Sequence, residues 1–271
     1  MSEILCSTGT MIGRPNGRDF KLLAQFAKRL SCDGFEFMMY DSWYEQVDKL
    51  LDFLKEQHLY IPVVHCEKRI GELISKGEET ETVFEKFRVN CRAAQELGAK
   101  KLVMHLWDGL TSDAFFENNI RTYPVLQEIA AAHGLTLLVE NVVCNHEAPF
   151  KHWCELAEKY PDIGFIFDTK MAAFHEELEQ LYAPEMRWMM ENGHIQHFHV
   201  NDYAGGYKDW KNLRTLPIGS GHVDFDRFFA FVREMGYDQT FTVESTAFDA
   251  EGKVDFEMLN RQFDFIREKM G

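Results

Sequence analysis

Short apolar runs of β type alternate along the chain with longer amphipathic segments. Each short run is rich in Val, Ile, Phe or Leu, and most runs are apolar throughout, as parallel strands covered on both faces are. The predicted strands are Ile4–Ser7, Gly34–Met39, Tyr60–His65, Lys101–His105, Thr136–Glu140, Gly164–Asp168, Gln196–Val200 and Thr240–Glu244.

The segments between these strands carry apolar residues at helical spacing. The predicted helices are Phe20–Leu30, Trp43–Gln57, Thr80–Leu97, a helix opened by Thr111–Asp113 and ending near Gly134, and helices at about 149–160, 173–191, 226–235 and 256–269. A strand followed each time by a helix predicts a parallel sheet with right-handed crossovers.

Eight strand–helix units in 271 residues predict one α/β domain over residues 1–271, a (β/α)8 TIM barrel, because that fold needs about 250 residues. The alternative is a doubly wound open sheet. Such a sheet would usually carry a GxGxxG turn after its first strand, and Ser7–Met11 lacks that spacing.

Charge and cysteine usage narrow the function classes. The net charge is −15, from 29 basic and 44 acidic side chains, and no run of Lys and Arg offsets it. We therefore expect no nucleic-acid partner. The six cysteines form no CxxC pair, no apolar run reaches the length of a membrane span, and no secretory signal is evident. These features predict a cytoplasmic protein with reduced thiols and no membrane association.

Titratable residues cluster where the predicted strands end, which is where TIM barrels place their active sites. From the third strand to the eighth, these residues are His65, His105, Glu140, Asp168, His199 with Asp202, and Glu244. Taken singly, each has a structural explanation, such as an N-cap at Asp168 or a salt bridge at a glutamate. Together, three carboxylates and a histidine at one barrel mouth would repel one another without a cation.

A divalent metal ion resolves this repulsion. An oxygen-rich set with a single imidazole suits Mn²⁺ best, with Mg²⁺, Co²⁺ or Zn²⁺ as alternatives. His197 and His199 face the same side of their strand, so either fits as the imidazole ligand. His199 is favoured because it lies nearer the carboxyl end of the strand.

Several motifs resemble the xylose isomerase-like TIM barrels, a superfamily that includes sugar-phosphate isomerases, D-tagatose 3-epimerase, hydroxypyruvate isomerase, inosose dehydratase and the barrel-type AP endonucleases. The motifs are VEN at 139–141, FDT at 167–169, HFHVND at 197–202, LPIGSGHVDF at 216–225 and FTVES at 241–245. The resemblance implies that Glu140, Asp168, His199 and Glu244 bind one metal ion. It also implies that the two glutamates act as acid and base.

The resemblance implies a metal-dependent isomerase or epimerase that removes a proton next to the carbonyl of a sugar or polyhydroxy ketone. The alternative is a lyase or dehydratase acting on an inosose or a 3-keto glycoside at the same site. An AP endonuclease is disfavoured by the charge and by the missing Asp-x-His after the seventh strand. A non-catalytic binding barrel is disfavoured by the four intact ligands. Members of the superfamily are commonly dimers or tetramers, so a homo-oligomer is one alternative and the oligomeric state stays open.

The residues that contact sugar in D-tagatose 3-epimerase-like enzymes are not retained. The corresponding positions hold His146, Met171 and Gly205 in place of Glu, His and Arg. These departures argue against 3-epimerisation of a free ketohexose.

The remaining candidates for substrate contact are His65, His105, Trp107, His146, Arg214 and Phe248. For His65 and His105, hydrogen bonds to backbone carbonyls are an equal alternative. Trp107 and Phe248 are predicted to wall the pocket. Lys170 either binds a carboxylate or keto oxygen or is a solvated lysine, and the solvated lysine is favoured. The loop Tyr203–Ser220 is basic and contains Gly205-Gly206. It is either a lid that closes over the substrate or an ordinary connection.

Overall fold

A computed structural model describes residues 2–77 and 80–271, with Thr80 described by its backbone only. Its strands are β1 Glu3–Ser7, β2 Gly34–Met38, β3 Val63–His65, β4 Lys101–Met104, β5 Thr136–Glu140, β6 Gly164–Asp168, β7 Ile195–Val200 and β8 Thr240–Val243. All eight predicted strands are present, in the order of a closed barrel from β1 to β8. The predicted TIM barrel is confirmed.

The α-helices are α1 Leu23–Phe26, α2 Val47–Glu56, α3 Arg69–Lys76, α4 Thr80–Glu96, α5 Phe116–Ala132, α6 Pro149–Lys159, α7 Thr169–Phe174, α8 Leu178–Tyr182, α9 Trp188–Glu191, α10 Phe225–Glu234 and α11 Phe256–Met270. The predicted helix at 20–30 is only partly α-helical, because 3-10 turns flank α1 on both sides. The helix α3 was not predicted.

Two predicted helices differ from the structure for identifiable reasons. The helix expected at 173–191 is divided into short pieces, because Glu176 has a φ of 55° and Pro184 begins a separate 3-10 turn. The helix expected to open at Thr111–Asp113 begins instead at Phe116, and Ser112 has a φ of 43°. The Asp113 side chain instead accepts hydrogen bonds from residues that follow β5, as described below.

The chain divides into two compact units, Met1–Glu36 with Phe167–Gly271, and Phe37–Ile166. In the first unit, β1 pairs in parallel with both β2 and β8, and β8 pairs with β7. In the second unit, parallel pairing runs from β3 through β4 and β5 to β6. Most strand residues are buried, because helices cover the outer face of a parallel sheet.

Candidate metal centre

Asp168, His199 and Glu244 lie together in the first unit, and we call them the β6–β8 cluster. Asp168 ends β6, His199 is the penultimate residue of β7, and Glu244 directly follows β8. His199 Nδ1 lies 3.5 Å from Glu244 Oε2 and 3.9 Å from Asp168 Oδ2. The side chains of Asp168 and His199 are fully buried, and that of Glu244 is 12% exposed. An imidazole nitrogen thus faces two carboxylates inside the protein.

Asn201 holds the two carboxylate residues of this cluster in place. Its Nδ2 donates to Asp168 Oδ2 at 3.1 Å, and its Oδ1 accepts a hydrogen bond from the backbone N–H of Glu244 at 3.1 Å. The other Asp168 oxygen, Oδ1, accepts from the backbone N–H of Met171 and caps α7. Asp168 therefore has the N-cap role as well as its place in the cluster.

Lys170 is not the solvated lysine that the sequence predicted. It is 6% exposed, and its Nζ lies 3.2 Å from Thr215 Oγ1 and 3.8 Å from Asp168 Oδ2. The difference arises because α7 begins at the end of a buried strand, so its first turn is enclosed. Its ammonium group contributes positive charge beside Asp168.

His65, His105 and Glu140 lie together in the second unit, and we call them the Glu140 cluster. Glu140 Oε2 is 3.2 Å from His65 Nε2 and 2.9 Å from His105 Nε2. His65 Nδ1 donates to the carbonyl of Cys66 at 2.8 Å, and His105 Nδ1 bonds Asp108 Oδ2 at 2.7 Å. Both histidines therefore contact the catalytic candidate Glu140, and His65 also bonds a backbone carbonyl.

His105 carries positive charge at neutral pH. Burial by itself would lower the pKa of its imidazole, but the charges of Glu140 and Asp108 outweigh burial and raise the pKa to about 9. The imidazolium then donates from Nδ1 to Asp108, and its Nε2 forms an ion pair with Glu140 Oε2 at 2.9 Å.

The β6–β8 cluster fits a divalent cation. His199 Nε2 lies 2.9 and 3.0 Å from the two oxygens of Glu36, which leaves Nδ1 directed at Asp168 and Glu244. A nitrogen lone pair between two carboxylate oxygens is a favourable arrangement only if a positive charge lies among them. Two carboxylates and one imidazole are ligand types that Mn²⁺, Mg²⁺, Co²⁺ and Zn²⁺ accept.

Glu36 was not singled out from the sequence. It lies on β2 between Phe35 and Phe37 and is fully buried. Its Oε2 also accepts from His197 Nε2 at 2.8 Å. A carboxylate in an otherwise apolar strand was the available signal, because such a group requires buried donors.

The other candidate substrate residues take different positions. Trp107 is fully buried, donates from Nε1 to the carbonyl of Val142 and packs against Phe116, so it belongs to the core rather than to an exposed pocket wall. Phe248 is half-buried. His146 and Arg214 have exposed side chains.

Asp202 explains the HVND and IGSGHVDF motifs. Its carboxylate accepts hydrogen bonds from four backbone N–H groups, those of Tyr203, Gly219, Gly221 and Val223, at 2.8 to 3.1 Å. A Cβ at Gly221 would lie 2.2 Å from the carbonyl oxygen of Tyr203. The Asp202 carboxylate therefore connects the end of the long loop to the end of β7 through hydrogen bonds.

Hydrogen bonds and ring packing hold the loop Tyr203–Ser220 against neighbouring residues. The N–H of Lys208 donates to the carbonyl of Phe174, and the Trp210 ring packs edge-on against Phe174 at 5.0 Å. Gly205 has an ordinary backbone conformation, and a Cβ there would lie 2.3 Å from Tyr203 Oη. This glycine is required for close packing, so the hypothesis of a hinge at this position loses its basis.

Asp113 organises the segment that follows β5. Its carboxylate accepts from the backbone N–H groups of Asn145, His146 and Glu147, and from His152 Nε2 at 3.0 Å. Burial by itself would raise the pKa of Asp113, but these four hydrogen bonds hold it well below its usual range. The segment carrying His146 is thus fixed by a charged group.

Comparison with known proteins places this geometry in context. The family model for the xylose isomerase-like TIM barrel matches residues 24–267. Among curated proteins, L-ribulose-5-phosphate 3-epimerase UlaE of Escherichia coli is 28% identical over 132 residues. That segment covers 49% of this chain and 36% of the relative, so the chain matches only about a third of the relative's length.

Solved structures share the fold at low identity. D-allulose 3-epimerase from Methylomonas sp., solved with D-allulose, is 17% identical with a TM-score of 0.70, covering 99% of this chain and 97% of that one. The IolI protein, solved with a zinc atom, is 15% identical with a TM-score of 0.67, covering 99% and 95%. No helix among the described residues is both long and apolar enough to cross a membrane.

Proposed function

Because the chain belongs to the xylose isomerase-like TIM barrel family, we propose that it is a divalent-metal-dependent isomerase or epimerase. Its substrate would be a sugar or a related polyhydroxy ketone. The observation that carries the proposal is the His199 imidazole, whose Nδ1 faces Asp168 and Glu244 while Glu36 occupies its Nε2.

We assign the cation to Glu140, Asp168, His199 and Glu244. A parallel barrel gathers the carboxyl ends of its strands at one end, and this is the reason for adding Glu140 to the β6–β8 cluster. A divalent ion held there would polarise a substrate carbonyl and acidify the neighbouring C–H bond. Mn²⁺ is the ion we expect, and Mg²⁺, Co²⁺ and Zn²⁺ are the alternatives.

Glu140 and Glu244 would carry the proton. One carboxylate removes it from the carbon next to the carbonyl, and the other returns a proton. Return to the former carbonyl carbon isomerises the sugar, and return to the original carbon from the opposite face epimerises it. A positioned acid or base of this kind contributes about 10²- to 10⁴-fold in rate.

The surroundings of Glu140 support this role. His105, with its pKa raised to about 9, places a positive charge 2.9 Å from Glu140 Oε2. A positive charge beside a carboxylate favours its ionised form, which is the form that can take up a proton. Lys170 supplies a second buried cation, 3.8 Å from Asp168 Oδ2.

The substrate would differ from a free ketohexose bound by the contacts of D-tagatose 3-epimerase-like enzymes. At the position of their arginine, Gly205 lies against the Tyr203 ring, and even a Cβ would lie 2.3 Å from the hydroxyl oxygen. The partial similarity to a ribulose-phosphate epimerase adds phosphorylated ketoses to the candidates. Inososes and 3-keto glycosides remain candidates for the lyase alternative.

The test is proton exchange in deuterated water with the Mn²⁺-loaded protein. The panel would contain L-ribulose 5-phosphate, D-allulose, D-tagatose, an inosose and a 3-keto glycoside. We expect at least one compound to lose the NMR signal of the hydrogen next to its carbonyl, and Glu244→Gln to abolish that loss. An elimination product would favour the lyase alternative. Absence of exchange across the panel with metal bound would contradict the proposal for these substrate classes.

A further inference from the structure

Glu36 is a carboxylate enclosed by the protein that forms no part of the proposed ligand set. Its Oε2 lies 2.8 Å from His197 Nε2, and its Oε1 and Oε2 lie 2.9 and 3.0 Å from His199 Nε2. A carboxylate oxygen within hydrogen-bond distance of an imidazole nitrogen accepts the hydrogen of that nitrogen, so both histidines carry a hydrogen on Nε2.

The far side of this arrangement is fixed by β8. His197 Nδ1 lies 2.5 Å from Thr240 Oγ1, and Thr242 Oγ1 lies 3.0 Å from His197 Nε2. His197 is fully buried. His197 therefore fixes the position of the Glu36 carboxylate. Glu36 in turn orients the His199 imidazole.

We propose that Glu36 is a positioning residue for the metal site. By accepting the Nε2 hydrogen of His199, it fixes the rotation of that imidazole and reserves the Nδ1 lone pair for the side facing Asp168 and Glu244. This inference rests on the proposed function, because it assigns a role to His199 Nδ1 as a ligand atom. Carboxylates bonded to the outer nitrogen of a ligating histidine set its tautomer and raise its basicity, and their loss weakens metal binding about 10- to 100-fold.

The same three residues could instead be considered a metal site of their own, because their ligand atoms lie within 4.8 Å of one another. The hydrogen bonds that these residues already form argue against a second metal site. Each Nε2 donates to Glu36, and His197 Nδ1 is within hydrogen-bond distance of Thr240. A cation would have to displace hydrogen bonds that already satisfy a buried carboxylate.

The experiment compares Mn²⁺ affinity of the apo wild-type chain with that of Glu36→Gln, by calorimetry. Glutamine keeps the size but is uncharged, and its amide group donates where Glu36 Oε1 accepts from His199 Nε2. We expect Kd to rise about 10- to 100-fold in Glu36→Gln and less in Glu36→Asp, which keeps the charge. Glu257→Gln is the matched control, since it makes the same substitution at a side chain that is 92% exposed, and its Kd should stay within about threefold.

A second readout uses the wild-type chain alone. Long-range ¹H–¹⁵N NMR of the apo protein should show His199 with its hydrogen on Nε2. A hydrogen on Nδ1 alone would overturn the inference, as would a folded Glu36→Gln that binds Mn²⁺ with wild-type affinity. A wild-type chain that binds no Mn²⁺ would overturn the proposed function instead. The tautomer of His199 would then still show whether Glu36 fixes the orientation of that imidazole.

Discussion

The β6–β8 cluster and the Glu140 cluster both combine histidine with carboxylate groups, but the partners of their histidines differ. In the first, the outer nitrogen of His199 is bonded to Glu36, and its inner nitrogen faces the carboxylates of Asp168 and Glu244. In the second, His105 is itself a cation, which is hydrogen-bonded to Asp108 and forms an ion pair with Glu140.

The difference lies in where the positive charge comes from. A proton on His105 balances Glu140 within its own cluster. In the β6–β8 cluster, the hydrogen on His199 Nε2 faces Glu36, and we infer that the charge balancing Asp168 and Glu244 comes from other groups. Lys170, near Asp168, supplies part of it, and a divalent cation would supply the rest. The first cluster is therefore compatible with a divalent metal ion, and the second places a positive charge beside Glu140.

The largest effect is expected from the two proposed acid–base residues. Glu140→Gln and Glu244→Gln should each lower kcat for proton exchange about 10²- to 10⁴-fold, because the amide cannot take up the proton. The rate is measured with the compound that the exchange screen identifies. Glu257→Gln is the control, since that side chain is 92% exposed, and it should leave kcat unchanged. Full activity in either site variant would remove that residue from the chemistry.

Metal affinity should separate the two clusters. His199→Gln removes a proposed ligand and should weaken Mn²⁺ binding by more than the roughly 100-fold that loss of a supporting contact costs. His105→Gln removes only a partner of Glu140 and should weaken it by less than about tenfold. Calorimetry on the apo proteins gives both values. Equal losses, or loss of a second equivalent of metal in His105→Gln, would break the distinction between the clusters.

Asp113→Asn tests how the segment after the Glu140 strand is held. At pH 7 the free energy of unfolding should fall by about 2 to 3 kcal/mol, because hydrogen bonds to a charged acceptor are lost. The pKa of Asp113 is lowered in the folded state, so its contribution is complete above the unfolded pKa of about 3.9 and is lost as pH falls towards the folded value.

Urea unfolding from pH 7 to pH 2 measures this effect. The gap between wild type and Asp113→Asn should narrow below about pH 4. Asp162→Asn, at an exposed position, should show little change at any pH. A gap that stays constant with pH would mean that the charge of Asp113 contributes nothing.

The smallest effect concerns the basic loop. If Arg214 contacts an anionic or polyhydroxy substrate, Arg214→Ala should raise KM about three- to tenfold with kcat little changed, which corresponds to loss of one hydrogen bond. Arg261→Ala is the control, since Arg261 is also exposed. Identical kinetics in the two variants would leave the loop as a structural connection.

The sequence predicted the strands well because their apolar runs are set by burial on both faces. It predicted helix ends poorly where one residue changed the path, as at Glu176, with its positive φ, and Pro184. Asp113 was predicted to open a helix, because aspartate is common at helix N-termini. Its carboxylate instead accepts hydrogen bonds from the backbone of residues 145–147, which are distant in sequence.

The site residues at strand ends could be predicted from the sequence, because polar side chains interrupt the apolar pattern there. Asp168 and His199 were identified in this way. Glu36 was overlooked, although the same signal was present, because it lies inside its strand rather than at the end. The burial of Lys170 and Trp107 depends on packing that the local pattern does not encode.

Metal content tests the central claim most directly. Apo wild-type protein and Glu244→Gln would each be titrated with Mn²⁺ by calorimetry, and the bound metal would be counted by mass spectrometry after gel filtration. We predict about one equivalent per wild-type chain and a clearly weakened or absent site in Glu244→Gln. No metal bound by either protein, from Mn²⁺, Mg²⁺, Co²⁺ or Zn²⁺, would contradict the account and leave the barrel without its proposed chemistry.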